Sequence, residues 1–427
     1  MQFPPAARAA FFIVTGTALL LPLTVDPAGL DSFRLPKELI FRASAIALAI
    51  IGTFAITAHA RFHRIKPLLR EPVIALSLLV VAWTLVTTVT STNRLLSLQA
   101  MITVVSSAIF FSAAYLTLRE KRFVALDAAL APAVINAIVI ALQEYGIWQP
   151  FKFPEQAAGH LSSSALIGNP NDVGSYLVVP AVAATVASAT TKGYRRLGNS
   201  VVASIVVFGL ITSATRTAII AFIVAMAVFI AAGSVRRAAI VTALLIVSIS
   251  VLVWPGTSMG KRMYGLIRAA RERHFDVVFS ERLVPFLAAV DMFRDHPVIG
   301  VGPGCFKFQY MAYRVALTTK YPREWTQGFA MNWGEVHNDH LEILAETGAP
   351  GYILFLSAAA LLVIPVLRDR RLDSRDPGER LARHLALPLA VVVFVVALGQ
   401  FPLQLAAPRL NILYFAGLCC VRRENAA

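Results

Sequence analysis

Apolar residues in this chain come in long unbroken runs, not in the two-residue alternation of a strand or the one-sided stripe of a soluble helix. Twelve runs approach or reach the length needed to cross about 30 Å of hydrocarbon as a helix: 9–25, 39–59, 72–90, 98–117, 123–143, 171–190, 199–213, 216–233, 238–254, 341–366, 384–401 and 408–421. Two of them, 199–213 and 408–421, are short, so eleven spans or a re-entrant segment also fit the pattern. The first run is preceded only by Arg8 and lacks a prompt small-residue cleavage pattern, so it reads as an uncleaved span. The pattern predicts an all-α polytopic membrane protein of about twelve transmembrane helices, a single integral membrane domain over 1–427.

Composition sharpens this reading. Of 427 residues, 57% are hydrophobic and 15% charged, against about 25% charged in a typical soluble domain, and the mean hydropathy is +0.68. These values exclude a soluble globular enzyme, a disordered chain and a coiled coil. The net charge of +15 does not point to nucleic acid, because the basic residues are dispersed over the connections between apolar runs. Three cysteines, Cys305, Cys419 and Cys420, are too few for a disulfide framework, and the last two are expected to pack as small apolar side chains.

The basic residues instead orient the chain. With the N-terminus in the cytoplasm, the inside connections carry 21 Lys and Arg, while the outside connections other than 255–339 carry 7: Arg34, Lys37, Arg42, Arg94, Lys152, Arg216 and Arg409. Both termini are therefore expected inside. Residues 255–339 form an 85-residue outside segment with 11 basic and 8 acidic residues. Long translocated segments are largely exempt from the charge rule, and an insert of this length among short loops is usually functional. A smaller outside segment runs from about Glu144 to Asn169.

The densest cluster of reactive side chains, Glu335 to Glu342, lies where the long segment meets the tenth span. If His337 to Thr347 were helical, His337 and His340 would share one face and Asp339, Glu342 and Glu346 another. Three readings compete: a neutral imidazole as general base, an HxxH metal pair lacking the intervening Glu of stronger motifs, and interfacial histidines capping a span. Arg216 sits at the outer edge between two spans, as an interface anchor or an anion ligand. Arg282 follows a basic run, Lys261, Arg262, Arg268, Arg271 and Arg273, expected to form an amphipathic helix with Met263, Ile267 and Ala270 on its apolar side. Guanidinium groups offer forked donors that match phosphate. Asp295–Gly304 contains G-x-G-x-G, but Pro303 and the absence of a strand–helix context make it a rigid bend rather than a nucleotide loop. Gly168-Asn169-Pro170-Asn171-Asp172 reads as a turn followed by a helix N-cap.

His337-Asn338, Leu341, Gly348 and Gly351, with Asp295–Gly304, Arg282, Gly168–Asn171 and Ser213–Arg216, resemble the O-antigen ligase and polymerase family of bacterial membrane glycosyltransferases over about residues 165–366. The resemblance implies a GT-C-like fold whose long loop, with short helices, is periplasmic. It also implies transfer of a glycan from undecaprenyl diphosphate to an acceptor, which in the ligases is lipid A–core. It assigns His337 as the acceptor-activating base and Arg216 and Arg282 to the diphosphate. Asn338, His340, Glu342, Asn169 and Asn171 are candidate supporting residues, and no metal or cofactor is called for. His340 is a departure, since relatives usually carry an aromatic or aliphatic residue there.

Ligation is the first expectation, with chain polymerisation by the same family as its alternative. Outside that class stand a transporter of lipid-linked glycans and an intramembrane metalloprotease. Ionisable groups crowd one outer edge rather than the midplane, and no internal repeat is visible, which favours chemistry over alternating access.

Overall fold

The computed structural model describes residues 5–29, 31–58, 71–149, 163–233, 258–279, 282–321, 332–368 and 376–420. Among these residues the secondary structure is helical throughout. The helices longer than four residues are α1 Pro5–Leu20, α2 Arg34–Ala58, α3 Pro72–Val89, α4 Arg94–Thr117, α5 Arg122–Glu144, α6 Pro170–Thr190, α7 Gly193–Thr212, α8 Arg216–Gly233, α9 Ser258–Arg271, α10 Leu283–Asp295, α11 Phe306–Lys320, α12 Asp339–Arg368, α13 Pro377–Val396 and α14 Ala406–Cys419. Every predicted apolar run coincides with a helix except 238–254, which lies outside the described residues. Among the described residues, seven helical stretches are long and apolar enough to cross a membrane, and one of these, Arg94–Glu144, comprises both α4 and α5. The chain is a multi-pass all-α membrane protein.

The centre of the bundle is formed by α6 and α14. Helix α6, rich in Ala and Val, is buried along nearly its whole length against α7, α8, α13 and α14, as close helix packing without a hydrophobic driving force favours. Helix α14 is also almost wholly buried. At about 1.5 Å per residue it is too short to span unaided, and its position inside the bundle removes the need. Lys37, Arg42 and Arg409, counted above among the connections, lie inside helices and are held there by polar partners. Lys37 donates to the carbonyls of Thr24, Phe33 and Leu166. Arg42 and Arg409 both pair with Glu38.

The segment between α9 and α12 forms a cap with its own small core of Val284, Met292, Phe306, Tyr310 and Val336. Helix α9 forms where the amphipathic run predicts a helix, with Ile267 44% exposed; the side chains of Lys261, Arg262 and Met263 lie outside the described residues. The cap locks onto the bundle through a break in α12. Pro350 has no N–H to give the Glu346 carbonyl, and Gly348 adopts φ 67°. The Asp295–Gly304 bend fills the gap: Val301 N–H donates to Ala345 O (2.9 Å), Gly302 N–H to Glu346 O (3.0 Å), and Ala349 N–H to Pro297 O (2.8 Å). Trp83 Nε1 donates to Thr347 O at 2.9 Å. The Glu346 carboxylate accepts from Gly304 N (2.8 Å) and Phe306 N (3.0 Å), at the start of α11. The glycine-rich motif is thus a plug for a broken membrane helix, whose freed backbone groups need partners in hydrocarbon.

Candidate active site

Helix α12 begins at Asp339 and not at His337, so the shared imidazole face expected above does not form. Asn338 is the reason. Its Oδ1 accepts the Leu341 N–H at 3.1 Å, as an N-cap does, and its Nδ2 donates to Leu398 O at 2.9 Å. Glu342 reaches back to accept the Val336 N–H at 3.1 Å. His337 is left outside the helix in the left-handed region, φ 59°, a conformation that costs energy in a non-glycine residue and tends to occur at functional sites.

The half-buried His337 ring packs edge-on against Trp333, with centroids 4.9 Å apart, and lies 4.4 Å from the Phe401 ring. Its Nδ1 is 3.3 Å from Glu335 O. A carbonyl can only accept, so Nδ1 carries the proton and Nε2 keeps its lone pair. Burial first, then the positive charge of Arg282, pushes the imidazole down to about 4. It is therefore neutral at physiological pH.

His340 points elsewhere. Its Nε2 donates to Phe394 O on α13 (2.9 Å), and its Nδ1 pairs with the Tyr352 hydroxyl (3.1 Å), with the ring enclosed by Tyr352, Phe355 and Phe394. Both nitrogens are occupied, and the two histidines diverge.

Arg282 stands just ahead of α10, with Nη1 donating to Gly399 O at 2.5 Å. Burial, reinforced by the nearby Arg216 charge and opposed by Asp172, lowers this guanidinium to about 10. Arg216 opens α8, and its position follows from a hydroxyl lock: Thr215 Oγ1 donates to Pro170 O at 2.9 Å, tying the start of α8 to the start of α6. There Asn169 caps α6 by accepting from Asn171 N (2.8 Å) and Asp172 N (3.2 Å). Asn169 thus builds the helix end beside Arg216, and Asn171 supplies one of the capped N–H groups.

The fold adds three residues that sequence reasoning had not singled out. Arg34, at the start of α2, lies 3.3 Å from Asp172 and 3.7 Å from Glu335, and its guanidinium stands 5.7 Å over the Phe401 ring. Asp172 and Phe401 are its buried partners. The α13–α14 connection frames the whole site: Leu398 O holds Asn338, Gly399 O holds Arg282, Phe401 packs on His337, and Asp339 accepts from Leu403 N at 2.9 Å.

A largely apolar cavity of about 650 Å³ descends from Arg34 between α2, α3, α4, α12, α13 and α14, with Leu76, Phe111, Leu354 and Leu389 on its walls. It is not lined by His337, Arg216 or Arg282, and it meets them through Arg34.

Chemically, the site is a neutral imidazole with one free nitrogen beside a concentration of guanidinium groups, at the mouth of an apolar cavity. Residues 201–356 match the family model described as O-antigen ligase. Over those residues the chain resembles the O-antigen ligase family. The matched stretch contains Arg216, Arg282 and His337, whereas Arg34, Asp172 and Phe401 lie outside it. No curated protein matches the chain. That likeness supports an O-antigen ligase or polymerase-type membrane enzyme.

Proposed function

We propose that the protein transfers a glycan from undecaprenyl diphosphate to an acceptor hydroxyl, and that the reaction is O-antigen ligation to lipid A–core. The observation that carries the reading is the unprotonated Nε2 of His337 beside the paired charges of Arg282 and Arg216. In this mechanism the acceptor hydroxyl attacks the anomeric carbon and gives its proton to Nε2. The bond from that carbon to the phosphate oxygen breaks, and its electron pair leaves with undecaprenyl diphosphate. Arg216 and Arg282 stabilise the developing charge, so the chain's own residues supply the base and the electrostatic stabilisation. A single displacement of this kind inverts the anomeric centre.

The diphosphate also resolves an apparent weakness of the base. An imidazole titrating near 4 is a poor proton acceptor at neutral pH, but the low value partly reflects the Arg282 charge. An anion bound there cancels that charge and makes His337 more basic when the donor is in place. The cavity beside Arg34 is suited to hydrocarbon and supports a lipid-linked substrate. We place this chemistry on the periplasmic side of the inner membrane, with both termini cytoplasmic.

The test is purified full-length protein incubated with an undecaprenyl-diphosphate-linked glycan and lipid A–core. One glycan attached once to lipid A–core, absent with His337→Ala, is the expected product. Repeat units growing on the lipid diphosphate would replace ligation with polymerisation. Movement of glycolipid across vesicles without any transfer would sink the enzyme reading.

A further inference from the structure

The carbonyl that orients His337 belongs to a residue whose own side chain is held. Glu335 O takes the Nδ1 proton at 3.3 Å, and the Glu335 carboxylate lies 3.7 Å from Arg34 Nη1. The other amino group of Arg34 lies 3.3 Å from buried Asp172, at the start of α6. The same guanidinium covers Phe401, whose ring packs on the imidazole. Arg34 therefore reaches the surroundings of His337 twice, through the segment that carries it and through the ring beside it. It does so from the first third of the chain, far from the matched domain.

We propose that Arg34 is a positioning residue for His337: through Glu335 and Phe401 it holds the imidazole with Nδ1 protonated and Nε2 open to the acceptor. The proposal rests on the reading of His337 as the base. Bases in enzymes are commonly fixed in tautomer and orientation by a third group, and here that group is the Glu335 peptide, clamped by a guanidinium. Both amino groups of Arg34 face carboxylates. A lysine could not reproduce this, because a point charge cannot bridge two carboxylates and lie over a ring at once. Among the described residues, the charged groups around the imidazole and its clamp are Arg34 from α2, Asp172 from α6, Arg216 from α8, Arg282 ahead of α10, and Glu335 on its own segment. Asp339 and Glu342 follow on α12, engaged with Leu403 and Val336. The 397–405 connection carries no charge.

The experiment is nitrogen NMR of histidine-labelled full-length protein in lipid nanodiscs, with His337→Gln to assign the signal, followed by steady-state kinetics. The unsubstituted protein should show the Nδ1–H tautomer. Arg34→Gln should show mixed tautomers and titrate at higher pH, because a neighbouring positive charge is gone. It should lower kcat roughly tenfold or more with donor KM changed by less than about twofold. Glu335→Gln keeps the carbonyl and removes the ion pair; it should reproduce the mixed tautomers and the kcat loss of Arg34→Gln but not the upward titration, since it deletes a negative charge, and the double variant should be no worse in kcat than either single. Glu335→Gln also serves if Arg34→Gln does not fold. An unchanged tautomer and midpoint would overturn the proposal, as would additive losses or a rise in donor KM at constant kcat. Transfer by His337→Ala would instead defeat the base assignment while leaving the NMR result intact.

Discussion

Gly302 donates its N–H to the carbonyl of Glu346 at 3.0 Å, the carbonyl that Pro350, four residues further on, cannot serve. This hydrogen bond ties the cap to the membrane helix that begins just after His337. A β-carbon on Gly348 would collide with the Val298 carbonyl, and one on Gly300 with the backbone of Glu346 and Thr347. The close approach that satisfies α12's broken ladder is therefore possible only with glycine on both sides.

Gly348→Ala should be markedly destabilising, and Gly146→Ala supplies the control. Both positions have positive φ, 67° and 68°, but Gly348 combines it with ψ −175°, a region essentially reserved for glycine, so an alanine there costs more than the about 1–2 kcal/mol of an ordinary left-handed residue. Nothing lies within 4 Å of a β-carbon at Gly146, so only Gly348→Ala adds a backbone collision. Thermal unfolding in detergent should rank Gly348→Ala well below Gly146→Ala; equal midpoints would contradict the plug.

His337→Ala should leave the melting temperature nearly unchanged and reduce transfer by about 10²–10⁴, the usual worth of a positioned base. The pH profile gives a second check. His337 acts neutral, so kcat/KM should hold as pH falls from 7 and drop only near pH 4. The acid limb of kcat should lie at higher pH than that of kcat/KM, because bound diphosphate offsets the arginine charges. Coincident limbs would mean that the donor's charge does not reach the imidazole.

The membrane helices were legible because hydrocarbon admits few alternatives: a run of apolar residues long enough to cross it forms a helix. The start of α12 was readable too, since Asn338 is a strong N-cap residue; beginning the helix at His337 overlooked it and paired the wrong histidines. Arg34, Asp172 and Phe401 could not be found this way. No spacing connects them, and they look like ordinary loop and helix-end residues until the fold joins α2, α6 and the α13–α14 connection. Arg409 misled for a related reason. At only 4% side-chain exposure, it is an internal partner of Glu38 rather than a marker of orientation.

Arg216 and Arg282 should separate donor binding from proton transfer. Either one changed to Ala should raise donor KM by about 10-fold or more, the worth of losing a charge-assisted contact. Arg216→Lys should recover little, since an ammonium lacks the fork. Inhibition by free undecaprenyl diphosphate should weaken in parallel. Unaltered inhibition in Arg282→Ala would remove that residue from the diphosphate site.

Asn338 performs two tasks that substitution can split. Asn338→Ala removes the cap on Leu341 N–H, costing about 1 kcal/mol, and leaves the Leu398 carbonyl without its donor. Asn338→Asp keeps an oxygen for the cap and adds a negative charge at a helix N-terminus, which is favourable, but it still abandons Leu398. Leu398 adjoins Gly399, the carbonyl that anchors Arg282. Asn338→Asp should therefore melt close to the unsubstituted protein yet show a raised donor KM, whereas Asn338→Ala should show both defects. If Asn338→Asp matched the unsubstituted protein in stability and donor KM alike, the α13–α14 connection would not be holding Arg282 in register.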